Sequence, residues 1–297
     1  MAHSFRPTNF NEIIGQSDVL TRLKVSVIGC KSSETVMPHV LIDGPPGLGK
    51  TTIASAIASE MGVNLYTANA ANLRSIKNIL PYITGMAPRS VFFIDEIHRL
   101  PKIVEEFLYP VMEDFQLSQI IDGVSETINL PVFTLVGATT SGGSLSQPFY
   151  DRFQIKEHLS FYNEDELAKL AGLNAEKIGL KISNEELLEI AKRSKGTPRV
   201  LNARLQWYKN YKLCNPNDGK TVNEIFNIQG IDEHGLDLYD RQYIDVLRKA
   251  RGSALGLKTI SSLTGIALDT IENSIEPYLL RKGFIQRTQK GRILGKI

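Results

Sequence analysis

His39-Val40-Leu41-Ile42, running into Gly44-Pro45-Pro46-Gly47-Leu48-Gly49-Lys50-Thr51, sets the architecture of the first half of the chain. An apolar run of strand type enters the pattern G-x-x-x-x-G-K-[ST]. A helical repeat of Ile53, Ala54, Ile57, Ala58 and Met61 leaves it. In that context the pattern is a phosphate cradle. Gly44, Gly47 and Gly49 let backbone N–H groups close around phosphate oxygens at a helix N-terminus. Lys50 is placed for the β and γ phosphates of ATP. Thr51 is placed for Mg²⁺, an ion that takes oxygen ligands and keeps several waters. Without the flanking strand and helix the same glycines would be only a turn.

Further strands are predicted at Val63-Asn64-Leu65-Tyr66-Thr67, Ser90-Val91-Phe92-Phe93-Ile94 and Val132-Phe133-Thr134-Leu135-Val136. Helical patterns separate them, as parallel pairing requires. The strand at Val91 ends in Asp95-Glu96, a division of labour suited to phosphoryl transfer to water: Asp95 for the metal, Glu96 to polarise the attacking water. Two acids at a strand end are by themselves as readily solvent-facing; beside the phosphate loop they read as catalytic. Thr139 and Thr140 end the strand begun at Val132, and Thr140 is the candidate sensor of the γ-phosphate. Arg152 and Arg199 are the candidate cations, although a lone arginine is usually a solvated surface residue.

After Phe161 the pattern is helical only. Asn163 with Glu166 and Ser183 with Glu186 are capping boxes, and Thr197-Pro198 is a cap with proline at the first helical position. Asn215-Pro216-Asn217-Asp218-Gly219 is a loop. Beyond Gly230–Gly235, helices are predicted over Leu238–Arg248, Leu257–Leu263 and Thr270–Arg281. They are followed by a hairpin of Phe284–Thr288 and Arg292–Leu294, the outline of a winged helix. The expected division is 1–162, a large ATPase domain; 163–230, a small helical lid; and 231–297, the winged helix. Arg281, Lys282, Arg287, Lys290, Arg292 and Lys296 follow Glu276 without another acid. That is either a basic surface for nucleic acid or a solvated tail.

The 297 residues, 42% hydrophobic and 22% charged, can bury several cores. A net charge of +2 excludes a uniformly basic nucleic-acid binder. Cys30 and Cys214 have neither metal-ligand nor redox spacing. No run reaches the length of a membrane span, and Met1–Pro7 lacks a signal-peptide core, so no membrane association and a cytoplasmic location are expected. His98 and Arg99 read as local hydrogen bonders, Trp207 and Tyr208 as packing.

The motifs together are more specific than the phosphate loop alone. Pro45–Thr52, Phe93–Leu100, Gly137-Ala138-Thr139-Thr140, Asp151-Arg152-Phe153 and Gly196-Thr197-Pro198-Arg199 resemble the bacterial RuvB family of Holliday-junction branch-migration motors. So do Arg6-Pro7 with Ile14-Gly15-Gln16, Leu108-Tyr109-Pro110 with Met112–Phe115, and Glu276–Leu279 with Gly283–Thr288. The resemblance spans nearly the whole chain. It implies an α/β fold with a P-loop AAA+ parallel-sheet core, a small all-helical lid and a C-terminal winged helix.

The resemblance also implies roles that spacing could not give. Arg152 matches an arginine finger that reaches the neighbouring subunit's ATP, and Arg199 a second sensor in the lid. Thr52 completes the phosphate loop. Phe5, Arg6 and Tyr162 match adenine-side contacts, while Glu113, Asp114 and Phe115 occupy other nucleotide-site positions. Arg287 and Arg292 match DNA contacts of the wing. The implied assembly is a homo-oligomeric ring, a hexamer on duplex arms of a four-way junction, working with a RuvA-like junction binder and a RuvC-like resolvase. Leu268 stands where another basic DNA contact is common, and Ser118–Leu130 is shorter than the family's RuvA-docking hairpin. A clamp-loader-like ATPase and an ATP-switched DNA-binding regulator remain as alternatives.

Overall fold

A computed structural model describes residues 5–121, 124–140 and 142–295. The chain divides into two compact units. One comprises Arg6–Gly44 with Gly49–Ser160. The other comprises the chain up to Phe5, Pro45–Leu48, and the chain from Phe161 onward.

In the first unit, α1 (Ser17–Ser32), β1 (Val40–Asp43), α2 (Lys50–Met61), β2 (Leu65–Asn69), α3 (Ile76–Gly85), β3 (Val91–Asp95) and α4 (Lys102–Glu113) follow in order. Then come an antiparallel pair, β4 (Gln116–Ile121) and β5 (Val124–Asn129), and β6 (Thr134–Thr139), α5 (Gln147–Asp151) and β7 (Ile155–His158). Five strands form a parallel sheet in the order β2-β3-β6-β1-β7. The four predicted strands are all present, shifted by a residue or more toward their C-terminal ends. β7 was not legible because Ile155-Lys156-Glu157-His158 is too polar. It is an edge strand, and its inward Glu157, 4% exposed, is matched by the Arg22 guanidinium, Nε to Oε1 2.9 Å.

Leu41, Phe92, Ile94, Phe133 and Leu135 lie in the main core, with Leu108 of α4 packed among them. His39, 3% exposed, ties this core together at the start of β1. Leu135 N–H donates to its Nδ1 at 2.9 Å, which leaves Nε2 to donate to the Met112 carbonyl at 2.9 Å. Burial holds His39 below its ordinary pKa, against the opposing pull of that carbonyl. An unfolded histidine protonates near pH ~6.5 while the native one resists. Stability contributed here is therefore present above pH ~6.5 and lost as pH falls below it. The melting temperature of the chain is expected to fall from pH 7 to pH 5 more steeply than that of His39→Gln; parallel slopes would remove His39 as the cause.

The second unit contains four lid helices, α6 (Glu164–Lys177), α7 (Asn184–Lys192), α8 (Pro198–Cys214) and α9 (Val222–Ile228). The predicted caps are formed: Asn163 and Ser183 make reciprocal boxes with Glu166 and Glu186, and Thr197 Oγ1 accepts from Val200 N–H at 3.3 Å. A third box, Thr221 with Glu224, starts α9. Tyr208 is 1% exposed, a packing residue. The winged helix follows as α10 (Leu238–Lys249), α11 (Leu257–Thr264), α12 (Leu268–Thr270), a π-helical turn Ile271–Ile275, α13 (Glu276–Arg281), β8 (Ile285–Thr288) and β9 (Gly291–Leu294). The π turn precedes Pro277, whose missing N–H removes a rung of the α-helical ladder there. Leu255 forms an antiparallel β-bridge with Arg292 of β9.

Candidate active site

The carboxyl ends of β1, β3 and β6 lie side by side, so the chain segments that leave them share one edge of the sheet. Gly44, φ +143°, leaves β1, and its N–H donates to the Thr139 carbonyl at 3.2 Å. A Cβ at Gly44 would stand 2.7 Å from the Leu159 carbonyl oxygen, so only glycine fits this approach. Lys50, 7% exposed, opens α2, and its Nζ donates to the Gly44 carbonyl at 2.6 Å. The ammonium thus lies against the backbone that leaves β1. Thr51 and Thr52, partly buried, occupy the first turn of the same helix.

Asp95 ends β3, and its Oδ1 accepts from Glu96 N–H at 3.0 Å. Glu96 takes a left-handed conformation, φ +52°, which is uncommon for a non-glycine residue. Thr140 Oγ1 donates to Glu96 Oε2 at 3.3 Å. His98 Nδ1 is 3.4 Å from the same oxygen and 3.0 Å from Thr139 Oγ1. The structure therefore brings the predicted water-activating acid and the predicted sensor into contact. His98, expected to make local hydrogen bonds, bridges Glu96 and Thr139, the residue before that sensor.

Arg152 caps α5. Its Nη1 donates to the Pro148 carbonyl at 2.7 Å, its Nη2 lies 3.2 Å from Glu113 Oε1, and its Cζ stands 4.1 Å from the Tyr109 ring centroid. Glu113 and Arg152 thus form one patch. Asp114 ends α4, while Phe115, φ +52°, turns its ring into the core, 5.8 Å from that of Phe133. Arg6 is exposed.

In the second unit Arg199 meets the crest of the phosphate loop, its N–H donating to the Gly47 carbonyl at 3.3 Å. A Cβ on Gly47, φ +83°, would approach Arg199 Cβ to 2.9 Å. Tyr162, 6% exposed, donates its N–H to the Gly196 carbonyl at 3.0 Å, and Phe5 is half-buried.

The uninterrupted basic patch expected after Glu276 requires correction. Arg281 stacks on Phe161, Cζ 4.2 Å from the ring centroid, and Lys282 Nζ is 3.1 Å from Glu164. Arg287 Nη2 and Arg292 Nε bond Glu276 at 2.6 and 2.8 Å, and Tyr243 O–H donates to the same carboxylate at 2.7 Å. Glu276 is 0% exposed. Burial alone would raise its pKa; the hydrogen bonds from Arg292, Tyr243 and Arg287 hold it below the usual range. Glu276, the last acid before the basic run in the sequence, is the centre of the wing's ion cluster. Arg287 keeps about half its surface in solvent, Lys290 is exposed, and Lys296 lies outside the described residues.

A parallel sheet in which β1, an interior strand, feeds a phosphate loop, with a helical lid following it, makes the chain a P-loop ATPase of the AAA+ class. Three family profiles extend the comparison along the chain: the Holliday junction DNA helicase RuvB P-loop domain over residues 5–159, the RuvB AAA lid domain over 162–232, and the RuvB C-terminal winged helix domain over 233–297. The chain belongs to the RuvB family. The Holliday junction branch migration complex subunit RuvB of Rhodopirellula baltica is 41% identical over 98% of this chain and 81% of its own length. The protein of the same name from Staphylococcus aureus strain bovine RF122 is 41% identical over 97% and 89%. The solved Thermotoga maritima RuvB Holliday junction branch migration motor superposes with a TM-score of 0.90 at 37% identity, over 98% of this chain and 96% of that one. These matches set aside the clamp-loader and switch-regulator readings.

Proposed function

We propose that the chain is the motor subunit of a hexameric ring that hydrolyses ATP to draw duplex arms through a four-way junction. It acts in the cytoplasm with a RuvA-like junction binder and a RuvC-like resolvase, in recombination and repair. The observation that carries this reading is the match to branch-migration subunits over nearly all of this chain, joined to the Lys50–Gly44 and Thr140–Glu96 contacts. Among the described residues no helix is long and apolar enough to cross a membrane.

Residues 1–162 do the chemistry, 163–230 report nucleotide state, and 231–297 hold DNA. Gly44, Gly47, Gly49, Lys50 and Thr52 bind the phosphates. Phe5, Arg6 and Tyr162 serve the adenine side, with Glu113, Asp114 and Phe115 supporting the site. Thr51 hydroxyl and Asp95 carboxylate are hard oxygen donors of the kind Mg²⁺ takes, and two of them suffice for an ion that shares its shell with phosphate and water. Bound there, Mg²⁺ would neutralise charge on the β and γ phosphates. Glu96 accepts the proton of the attacking water, Thr140 orients that carboxylate, and Arg199 registers the phosphates from the lid.

Movement of a synthetic four-way junction, with ATP and with and without RuvA, tests the reading; no movement with RuvA present would sink it. For the wing, phosphate contacts give sequence-independent, salt-dependent affinity. Arg287→Ala is expected to weaken duplex binding alike for unrelated sequences and to reduce the slope of log affinity against log salt by about one. Anisotropy titrations across a salt series measure this, and an unchanged slope would take Arg287 off the DNA.

A further inference from the structure

The turn that precedes the sensor arginine is held by the winged helix. Lys195, φ +50°, and Gly196, φ +73°, adopt consecutive left-handed conformations immediately before Thr197, the cap of α8. For lysine this conformation is sparsely populated and persists where its surroundings fix it. They do so here. The Lys195 ammonium, 10% exposed, lies 3.0 Å from Asp237 Oδ2 and also bonds Asp240, which is 0% exposed. Those two aspartates form the capping box of α10, Asp237 N–H donating to Asp240 Oδ2 at 2.8 Å and Asp240 N–H to Asp237 Oδ1 at 3.1 Å. One cation therefore joins the lid turn to the first helix of the winged helix.

Two neighbouring contacts close the same joint. A Cβ on Gly196 would stand 2.2 Å from Arg281 Nη1, and one on Gly235 would stand 2.7 Å from the Arg193 carbonyl oxygen. Asn273 and Pro277 of the winged helix share a cavity of about 120 Å³ with Pro45, Pro46, Thr197 and Arg199. The path from α10 to the phosphate-loop crest is thus short: Asp240, Lys195, the left-handed turn, the Thr197 cap, then Arg199 on the Gly47 carbonyl.

We propose that Lys195 is a positioning residue for Arg199, fixing the sensor arginine through the α10 cap so that the grip on nucleotide depends on the winged helix. This rests on the reading of Arg199 as a nucleotide contact. Lys195→Met keeps the stem and removes the charge, so the turn loses its anchor while the lid core stays packed. Lys195→Arg restores a cation.

The test is titration of the full chain with a fluorescent ADP analogue and Mg²⁺, with ATP turnover measured with and without duplex DNA. Lys195→Met is expected to weaken ADP binding roughly tenfold, the scale of one misplaced charge-assisted hydrogen bond, and to raise KM for ATP in step. It is also expected to blunt any stimulation by DNA. Lys195→Arg is expected to recover most of the affinity. Asp240→Asn should reproduce the defect, and combining it with Lys195→Met should add little. Melting curves establish that each variant is folded at the assay temperature, and a purely structural role would lower the melting point while leaving affinity alone. Parental affinity in Lys195→Met beside a weakened Arg199→Ala would overturn the inference and leave the sensor role standing. Parental affinity in both would overturn both.

Discussion

Glu96→Gln is expected to bind ATP as tightly as the parent and to lose turnover by about 10²–10⁴-fold, the usual contribution of a positioned general base. The amide is nearly isosteric with the carboxylate and can still accept from Thr140 Oγ1, now at 3.3 Å from Oε2, so the end of β3 should keep its shape. What it lacks is a lone pair basic enough to take the proton of the attacking water. Asp95→Asn should behave differently, weakening metal-dependent nucleotide binding as well as turnover. Single-turnover hydrolysis at saturating ATP distinguishes the two, and parental rates in Glu96→Gln would remove this residue from the chemistry.

What could be read from the sequence follows from how local each signal is. The phosphate loop, the Asp95-Glu96 strand end and the lid caps are each set within a few residues, and the capping boxes at Asn163 and Ser183 formed as their spacing required. The edge strand Ile155–His158 was missed because its partner for a buried acid, Arg22, lies more than a hundred residues away in sequence. The same reason explains the wing. Arg281, Lys282, Arg287 and Arg292 read as free cations in a linear count, but their partners, Phe161, Glu164 and Glu276, are brought up by tertiary structure. His98 was legible as a local bonder, yet nothing in its neighbourhood specified that it would brace both Thr139 and Glu96. The Lys195 anchor was invisible for a further reason. Asp at both ends of the α10 box looks like an ordinary helix start, and only the fold shows the cation seated on it.

Arg152→Ala is expected to leave ATP binding largely intact and to reduce turnover in the assembled ring by about 10³–10⁵-fold, the range for removing an arginine finger. Within its own chain the guanidinium is held by Glu113, the Pro148 carbonyl and the Tyr109 ring. Among the described residues none of its hydrogen bonds goes to Lys50, Asp95, Glu96 or Thr140. A guanidinium held in this way is pre-oriented, as the proposed action on a neighbour's nucleotide requires. Arg152→Lys should recover little, since an ammonium lacks the planar fork that Glu113 and Tyr109 hold in place. The decisive measurement mixes Arg152→Ala chains, whose phosphate loop is whole, with Lys50→Ala chains, whose finger is whole. Neither alone should turn over. In a head-to-tail ring each Arg152→Ala site that receives the finger of a Lys50→Ala neighbour regains activity, so the mixture should hydrolyse ATP where its components do not. If mixed rings form and stay inactive, Arg152 acts on the nucleotide of its own chain and the shared-site reading fails.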